Sequence, residues 1–224
     1  IKISKKINSR LISVDSALIY QGMDIGTAKP DTETLKAHPH YLIDICKPSD
    51  TYSAQDFVND ATHQIELAFS QNKLPILVGG TSFSFNALEH GLSNLPESTP
   101  ESREKFNQLV KEKGLDSLYQ SLQKIDPIAA QRIHANDSQR IIRGLEVFNI
   151  SGKTLSELQG KKQGGLNCII KKIILMPDRS ELHQRIETRF HLMIEQGFMD
   201  EVRVLKTNTA LHQDLPSIRC VGYR

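Results

Sequence analysis

The chain has 224 residues, of which 38% are hydrophobic and 24% are charged, and its formal net charge is +2. This composition predicts a self-sufficient hydrophobic core and excludes an intrinsically disordered chain. No apolar stretch reaches the roughly 18 residues that cross a bilayer, and residues 1–10 lack the apolar centre of a signal peptide, so we expect a cytoplasmic protein without a membrane anchor.

Charge and cysteine content narrow the function classes further. Residues 1–138 carry 14 Lys and Arg against 17 Asp and Glu, whereas residues 139–224 carry 14 against 9. A basic half can face a polyanion, although ordinary solvated helix faces produce the same pattern. Cys46, Cys168 and Cys220 form no C-x-x-C pair, so we predict buried, reduced thiols and neither a disulfide framework nor a zinc site.

The first third of the chain alternates between strand and helix patterns. Three β-rich runs occur, at residues 11–14, 40–44 and 75–78. A helical pattern at residues 53–70, with Ser53 as its predicted N-cap, separates the last two. This alternation predicts a parallel sheet, in which ligands bind beyond the carboxyl ends of the strands. Asp15, Asp44 and Thr81 are expected at that edge.

After residue 92 the pattern becomes helical. A turn-rich linker at residues 93–100 precedes four helical patterns, at residues 101–113, 115–124, 127–133 and 137–150. Gly152, Lys153 and Thr154 imitate the end of a phosphate-binding loop, but Val147 stands where that motif needs glycine. Gly152 is therefore predicted to be the C-cap of a helix.

The remaining residues are predicted to return to the sheet. A loop at residues 160–167 leads to an apolar run at residues 168–176, which we predict to be a strand, and helices follow at residues 180–196 and 198–206. The fold class is therefore α/β. An all-helical insertion at residues 97–165 is predicted to divide a core made of residues 1–96 and 166–224.

Short motifs with a specific order and spacing run through the sequence. They are residues 12–20 (ISVDSALIY), 22–30 (GMDIGTAKP), 52–54 (YSA), 78–81 (VGGT), 133–134 (IH), 136–137 (ND), 139–140 (QR), 151–154 (SGKT) and 216–224 (PSIRCVGYR). Each motif alone is weak evidence. Together they closely resemble the tRNA dimethylallyltransferase family over nearly the whole chain from residue 11 onward.

The resemblance implies a reaction and an architecture. A dimethylallyl group passes from dimethylallyl diphosphate to the exocyclic amine of the adenine 3′ of the tRNA anticodon, with Mg²⁺ as cofactor. The implied core is a P-loop NTPase-like parallel sheet, and the helical insertion embraces the anticodon stem-loop of the tRNA; we expect a monomer. The family's Walker A loop belongs just upstream of residue 11, where residues 1–10 contain no glycine. The printed sequence is therefore expected to bind tRNA but to transfer poorly.

Asp15 and Thr81 are the candidate catalytic residues. A strand-end aspartate often caps a turn, but it can also accept a proton as a general base, and the resemblance implies the second role for Asp15. The Thr81 hydroxyl can contact the substrate or cap the following helix. The resemblance implies that it lies at the RNA.

The resemblance also implies an RNA contact surface made of several separate stretches. Its residues are Asp15, Ser16, Ala17, Leu18, Thr81, Arg103, Gln139, Arg140, Ile141, Ile142, Arg143, Arg219, Cys220, Val221, Gly222, Tyr223 and Arg224. Amides and guanidinium groups at a helix start suit phosphates and base edges, and a tyrosine between arginines suits a splayed base. From the residues alone, solvated helix faces and a disordered end remain alternatives.

Arg189 lies in the predicted helix at residues 180–196. The resemblance implies that it neutralises the departing diphosphate. The alternative is a surface ion pair with Glu181, Glu187 or Glu195. The histidines are dispersed and form no H-E-x-x-H motif, so no zinc site is predicted.

Two other functions remain open at the level of the sequence. One is an isopentenyltransferase that acts on a free adenine nucleotide, which has little need for a basic helical insertion. The other is a non-catalytic RNA-binding module, suggested by the absence of a Walker A motif from the printed sequence.

Overall fold

A computed structural model describes residues 1–160 and 162–224, which form two compact units. The core unit comprises Ile1–Glu89 and Leu166–Arg224, and the helical unit comprises His90–Gly165. The helical unit thus begins at His90 rather than at residue 97. Lys161, which falls in the predicted loop at residues 160–167, lies outside the described residues. No helix among the described residues has both the length and the apolar character of a bilayer span.

A three-stranded parallel sheet organises the core unit. Its strands are β1 (Ser9–Val14), β2 (His40–Tyr41) and β3 (Leu74–Gly79), in the order β2-β1-β3. The predicted parallel sheet is thereby confirmed. The strand predicted at residues 40–44 ends earlier, because Leu42 and Asp44 have φ angles of 67° and 56°, which an extended strand cannot contain.

Three helices accompany the sheet in the first part of the core unit: α1 (Thr32–Ala37), α2 (Ala54–Ser70) and α3 (Ser82–His90). The apolar face of α2 is buried as its periodicity predicts. Ser53 is its N-cap: the Asp56 N–H donates to the Ser53 hydroxyl at 3.1 Å, and the Asp56 carboxylate accepts the Ser53 N–H at 2.8 Å. This reciprocal pair is a capping box, so the predicted N-cap is confirmed.

The carboxyl ends of β1 and β3 meet at Gly79. A Cβ atom at this position would lie 1.9 Å from the carbonyl oxygen of Val14, so only glycine permits this approach of the two strands. Two residues further on, the Thr81 N–H donates to the same Val14 oxygen at 3.3 Å. Asp15, which follows β1, and Thr81, which follows β3, are therefore held close together.

The helical unit contains α4 (Pro100–Ile125), α5 (Pro127–Arg132), α6 (Ser138–Ser151) and α7 (Leu155–Leu158). Gly114, at φ 76° and ψ 159°, interrupts α4, so the two predicted helices are present on either side of it. Gly152 ends α6 with φ 68°, which confirms its predicted role as a C-cap. The prediction that residues 97–165 are all helical is wrong at one point. A short antiparallel pair joins β4 (Leu92–Ser93) to β5 (Lys162–Gln163).

Asp126 ties three parts of the helical unit together. Its carboxylate accepts the Ala129 N–H at 2.9 Å, which caps α5, and both the N–H and the hydroxyl of Ser156 at 2.8 and 2.7 Å, which anchor α7. Burial alone raises the pKa of this carboxyl, but the hydrogen bonds from Ser156 and Ala129 outweigh burial and lower the pKa overall. The ionised form is thus the one that the fold stabilises.

The last part of the core unit differs from the prediction in one element. Helices α8 (Arg179–Glu195) and α9 (Phe198–Lys206) occur as predicted and are separated by Gly197 at φ 93°. The strand predicted at residues 168–176 is wrong, since this run pairs with neither edge of the described sheet. Its Ile169 and Leu175 side chains are 94% and 88% exposed. The cysteines carry free thiols, but Cys168 is exposed, against the prediction that all three are buried.

Candidate active site

Asp15 organises the turn that follows β1. Its Oδ1 atom accepts the N–H of Ala17 at 2.8 Å and that of Leu18 at 3.3 Å, and the residue is half-buried. The capping role of a strand-end aspartate is therefore present. Both bonds end on Oδ1, so Oδ2 keeps its lone pairs free of any hydrogen bond within the described chain, and a carboxylate with a free oxygen can accept a proton.

Thr81 joins this turn from the end of β3. Its hydroxyl oxygen accepts the N–H of Ser16 at 3.1 Å, while its carbonyl accepts the N–H groups of Ser84 and Phe85 at the start of α3. The side chain thus faces the turn of Asp15, and the helix start is satisfied by the backbone carbonyl of Thr81. Of the residues predicted from the sequence, Asp15, Ser16 and Thr81 form one cluster.

Lys29 stabilises the loop that follows this turn. Its ammonium group donates to the carbonyl oxygen of Tyr20 at 2.8 Å and pairs with the carboxylates of Asp24 and Asp44, and its side chain is only 3% exposed. A buried ammonium needs this many partners because an unpaired buried charge is strongly unfavourable. Asp44, expected at the sheet edge, therefore binds Lys29.

Glu201, in the first turn of α9, provides a second anchor for the same loop. Its carboxylate accepts three consecutive backbone N–H groups, those of Asp24 and Ile25 at 2.8 Å and that of Gly26 at 3.1 Å, and it also accepts the Tyr223 hydroxyl. Consecutive amides that converge in this way form an anion-binding nest. Burial alone raises the pKa of Glu201, but the hydrogen bonds from Tyr223 and the three amides lower it overall.

Tyr223 is enclosed by this anchor. The side chain is buried, its ring packs edge to face against Phe198 with centroids 5.3 Å apart, and a Cβ at Gly26 would lie 2.6 Å from the Tyr223 ring. Burial and the bond to Glu201 raise the pKa of Tyr223. In this structure the Tyr223 ring is enclosed and stabilises the contact with Glu201, and its contact with a splayed base stays a prediction.

The segment that contains Tyr223 also lies beside Asp15. Burial, and then the neighbouring Asp15 carboxylate, raise the pKa of the Cys220 thiol, so this thiol lies within the electrostatic reach of Asp15. Ser217, which is fully buried, donates its hydroxyl to the carbonyl oxygen of Pro48. Arg219 pairs with Asp214 at 3.3 Å, whereas Val221 is 93% exposed. Gly222 and Arg224 are also exposed.

Arg189 lies on α8 in the core unit and is exposed. The ion pair observed on this helix joins Arg185 to Glu181, and Arg189 has none within the described residues. The alternative assignment of Arg189 to a surface pair with Glu181, Glu187 or Glu195 is therefore not what the structure contains. Its guanidinium group is available to an anion.

The remaining predicted RNA contacts belong to the helical unit. Arg103, Gln139 and Arg140 are exposed, Ile141 is fully buried, and Ile142 is half-buried. Arg143 is half-buried and its Nη2 atom donates to the carbonyl oxygen of Pro96 at 2.7 Å, which holds the linker that precedes α4. Arg143 thus has a structural task besides the contact that the resemblance implies.

Glu201 and Lys29 anchor the candidate site, and neither was predicted from the sequence to do so. Lys29 stands inside the quoted motif of residues 22–30, but that motif does not indicate which acids it meets. Glu201 looks like an ordinary acid in the first turn of a helix, and its contact with residues 24–26 spans nearly the whole core unit in sequence. Only a covarying pair in an alignment would have pointed to it.

The described side chains do not form a metal-binding cluster. Among residues 1–160 and 162–224, no three His, Cys, Asp or Glu side chains come together as ligands would. The side chains present therefore do not fit a protein-held Mg²⁺ ion, which needs octahedral oxygen ligands.

Known proteins share this arrangement of elements. A family model described as IPP transferase matches residues 18–224. The tRNA dimethylallyltransferase of Ruthia magnifica subsp. Calyptogena magnifica is 67% identical over 224 residues, which cover 100% of this chain and 73% of that protein. The full-length tRNA isopentenylpyrophosphate transferase from Bacillus halodurans superimposes with a TM-score of 0.62 at 36% identity, over 99% of this chain and 69% of that one.

A solved structure of lower sequence identity agrees with these matches. It is a eukaryotic dimethylallyltransferase acting on tRNA, with a TM-score of 0.70 at 27% identity over 92% of this chain and 51% of that one. The α/β core and these likenesses define an enzyme of the prenyltransferase class. The chain belongs to the IPP transferase family.

Replacing the Glu201 carboxylate tests its role as an anchor. We expect Glu201→Gln to lower the free energy of unfolding of the core unit by roughly 2 kcal/mol at pH 7, since hydrogen bonds to a charged acceptor are lost. The difference from the unaltered protein should shrink as the pH falls below about 4.3, because a carboxyl with a lowered pKa stabilises the fold only while it is ionised.

The measurement is urea unfolding followed by tyrosine fluorescence, because Tyr20, Tyr41, Tyr52 and Tyr223 all lie in the core unit. Asp200→Asn is the matched control. It removes the neighbouring acid, whose pair with Arg203 is exposed on both sides, and should change stability by less than about 0.5 kcal/mol. Equal effects of the two substitutions would contradict the anchor.

Proposed function

We propose that this protein is a tRNA dimethylallyltransferase, which transfers a dimethylallyl group from dimethylallyl diphosphate to the exocyclic amine of the adenine 3′ of the anticodon. The observation that carries the proposal is the 67% identity, over the full length of this chain, to a protein of that name. The cluster of Asp15, Ser16 and Thr81 at the carboxyl ends of β1 and β3 supports it, since ligands of parallel sheets bind there.

Asp15 is proposed to be the general base. The amine nitrogen forms a bond to the allylic carbon while the bond from that carbon to the diphosphate oxygen breaks, and the amine must give up a proton. The Oδ2 atom of Asp15 is free to take it, while Oδ1 keeps the carboxylate oriented through the amides of Ala17 and Leu18. The two hydrogen bonds thus occupy Oδ1 and leave Oδ2 for the proposed proton transfer.

Arg189 is proposed to receive the departing diphosphate. Negative charge grows on the leaving group as the bond breaks, and a preorganised cation stabilises that charge. The guanidinium group of Arg189 is exposed and has no ion pair within the described residues, so it need not give up a partner to bind an anion. Arg185, one turn away, is held by Glu181.

The proposal also covers the type of core, the metal ion, the location in the cell and the number of chains. We infer a P-loop NTPase-like core, supported by the parallel order β2-β1-β3 and by helices between its strands. Mg²⁺ is proposed to accompany the diphosphate, because this ion usually binds through substrate phosphates and few protein groups. An enzyme of tRNA would act in the cytoplasm. One chain suffices, since all the proposed reacting groups belong to it.

The function is tested by incubating the protein with unmodified tRNA, dimethylallyl diphosphate and Mg²⁺, followed by mass spectrometry of the nucleosides. We expect one five-carbon group on the adenine 3′ of the anticodon, at whatever rate the transfer proceeds. Transfer to AMP but not to tRNA would identify the free-nucleotide enzyme instead, and tRNA binding without transfer to either acceptor would identify an RNA-binding module.

Replacing Asp15 tests the proposed base. Asp15→Asn keeps an oxygen for the amides of Ala17 and Leu18, so the turn should persist, but it removes the proton acceptor. We expect the single-turnover rate to fall roughly 10²- to 10⁴-fold, with tRNA affinity within a few-fold. Asp50→Asn, at an exposed acid outside the cluster, is the control and should leave the rate unchanged. An unchanged rate in Asp15→Asn would remove Asp15 from this role.

A further inference from the structure

The helical unit contains a pocket that the proposed reaction does not use. It has a volume of about 440 Å³ and lies among α5, α6 and α7. The apolar part of its lining is buried or half-buried and consists of Leu95, Ala129, Ile133 and Leu155. The rest of the described lining is polar or positive and carries no acid: Arg132, Gln139, Arg140, Arg143 and Gln159. The pocket thus has an apolar floor and a cationic rim.

The rim groups differ in how firmly they are already held. Arg143 is anchored to Pro96 and lies 3.8 Å from the buried Glu146 carboxylate. Arg132 makes three long bonds to described residues, at 3.4 Å to the Ile128 carbonyl oxygen, 3.3 Å to the Ser156 hydroxyl and 3.4 Å to the Gln159 amide oxygen. Arg140 is 71% exposed, with a single 3.5 Å ion pair to Asp137. Arg132 and Arg140 can therefore reorient towards a ligand with little loss of hydrogen-bond or ion-pair energy. Arg143, in contrast, is held in place and forms a fixed part of the pocket lining.

The combination of groups points to one kind of ligand. A volume of this size lies within the range of about 300 to 1,000 Å³ found for small-molecule sites, and it accommodates one nucleotide. Unstacked bases of RNA bind on apolar surfaces and guanidinium planes, and amide groups pair with base edges. Guanidinium forks bind phosphate oxygens. An acidic peptide would use the arginines but would leave the amide of Gln139 and the apolar floor without a specific role.

We infer that this pocket binds one unstacked nucleotide of the RNA substrate, other than the nucleotide that is modified. The base lies on the apolar floor, and its phosphate is bound by Arg132 and Arg140. The lining contains neither Asp15 nor Thr81, so the bound nucleotide is not the reacting one. The inference rests on RNA as the substrate in the proposed function, and it names Arg132 and Gln159 as RNA contacts in addition to residues 139–143.

The test is a cycle that combines protein and RNA changes. An anticodon stem-loop RNA carrying a fluorescent label is made with one abasic nucleotide at each loop position in turn. Binding of each RNA to the unaltered protein and to Arg132→Met is measured by anisotropy. We expect Arg132→Met to weaken binding of the intact RNA roughly 10-fold, because a bidentate phosphate contact is lost.

At one loop position, the abasic change is expected to weaken binding to the unaltered protein by a similar factor. The same abasic change should not weaken binding to Arg132→Met any further. Abasic changes elsewhere should add to the effect of Arg132→Met, since only groups in contact are coupled. If the abasic effects add at every position, the pocket receives no base and the inference is overturned. Lys113→Met, which removes an exposed charge of the helical unit outside the pocket, is the control and should show no such coupling.

A second variant, Gln159→Ala, and a second ligand, free AMP, test the same pocket. Gln159→Ala changes an exposed residue at the end of α7, so it should fold, and it should show the same coupled position as Arg132→Met. Free AMP that binds as tightly as the stem-loop, and competes with it, would assign the pocket to a free nucleotide and overturn the inference. These binding measurements do not require the transfer reaction. If the coupled position is found but the protein transfers no dimethylallyl group, the result contradicts the proposed function and leaves the inference about the pocket intact.

Discussion

The bond between the Glu201 carboxylate and three consecutive backbone amides is the constraint on which the candidate active site depends. Residues 24–26 belong to a loop without regular secondary structure. The carbonyl oxygens of Asp24 and Ile25 accept the N–H groups of Lys29 and Ala28, but the N–H groups of residues 24–26 themselves have no backbone acceptor among the described residues. The carboxylate supplies those acceptors from α9, and the Tyr223 hydroxyl completes its coordination. One side chain therefore joins the loop after β1, the helix α9 and the segment at residues 219–224.

Hydrophobic packing connects the Glu201 contact to the turn of Asp15. Ile19, Tyr20 and Met23, which follow the Asp15 turn, share a hydrophobic cluster with Phe198 and Tyr223. Burial, with the nearby Cys46 and Cys220 thiols, raises the pKa of Tyr20 to about 12. Lys29 closes the same loop from its other end through Asp24 and Asp44. The carboxylate proposed as the base thus sits on a turn that is fixed from both sides.

Features set by neighbouring residues could be predicted from the sequence. The Ser53 capping box, the break at Gly114 and the left-handed Gly152 each depend on a few adjacent positions, and each was predicted. The position of Asp15 beside Thr81 also followed from the rule that parallel strands end at one edge. Such features need no knowledge of distant contacts.

Features set by distant partners could not be predicted in this way. The apolar run at residues 168–176 has the composition of a strand, but a strand also needs a neighbour to receive its backbone bonds, and neither edge of the described sheet provides one. Tyr223 looks like a stacking residue because its arginine neighbours are visible in the sequence, whereas Glu201 and Phe198, which enclose it, are not adjacent to it. Arg143 is held by Pro96 for the same reason.

Hydrogen exchange at the amides of Asp24, Ile25 and Gly26 tests the central claim most directly. The account predicts slow exchange of these three amides in the unaltered protein and exchange at least roughly 10-fold faster in Glu201→Gln, since the loss of about 1.4 kcal/mol of local stability corresponds to that factor. The amides of α6 in the helical unit should be unaffected. Equal exchange rates at residues 24–26 in the two proteins would show that another interaction holds the loop and would contradict the account.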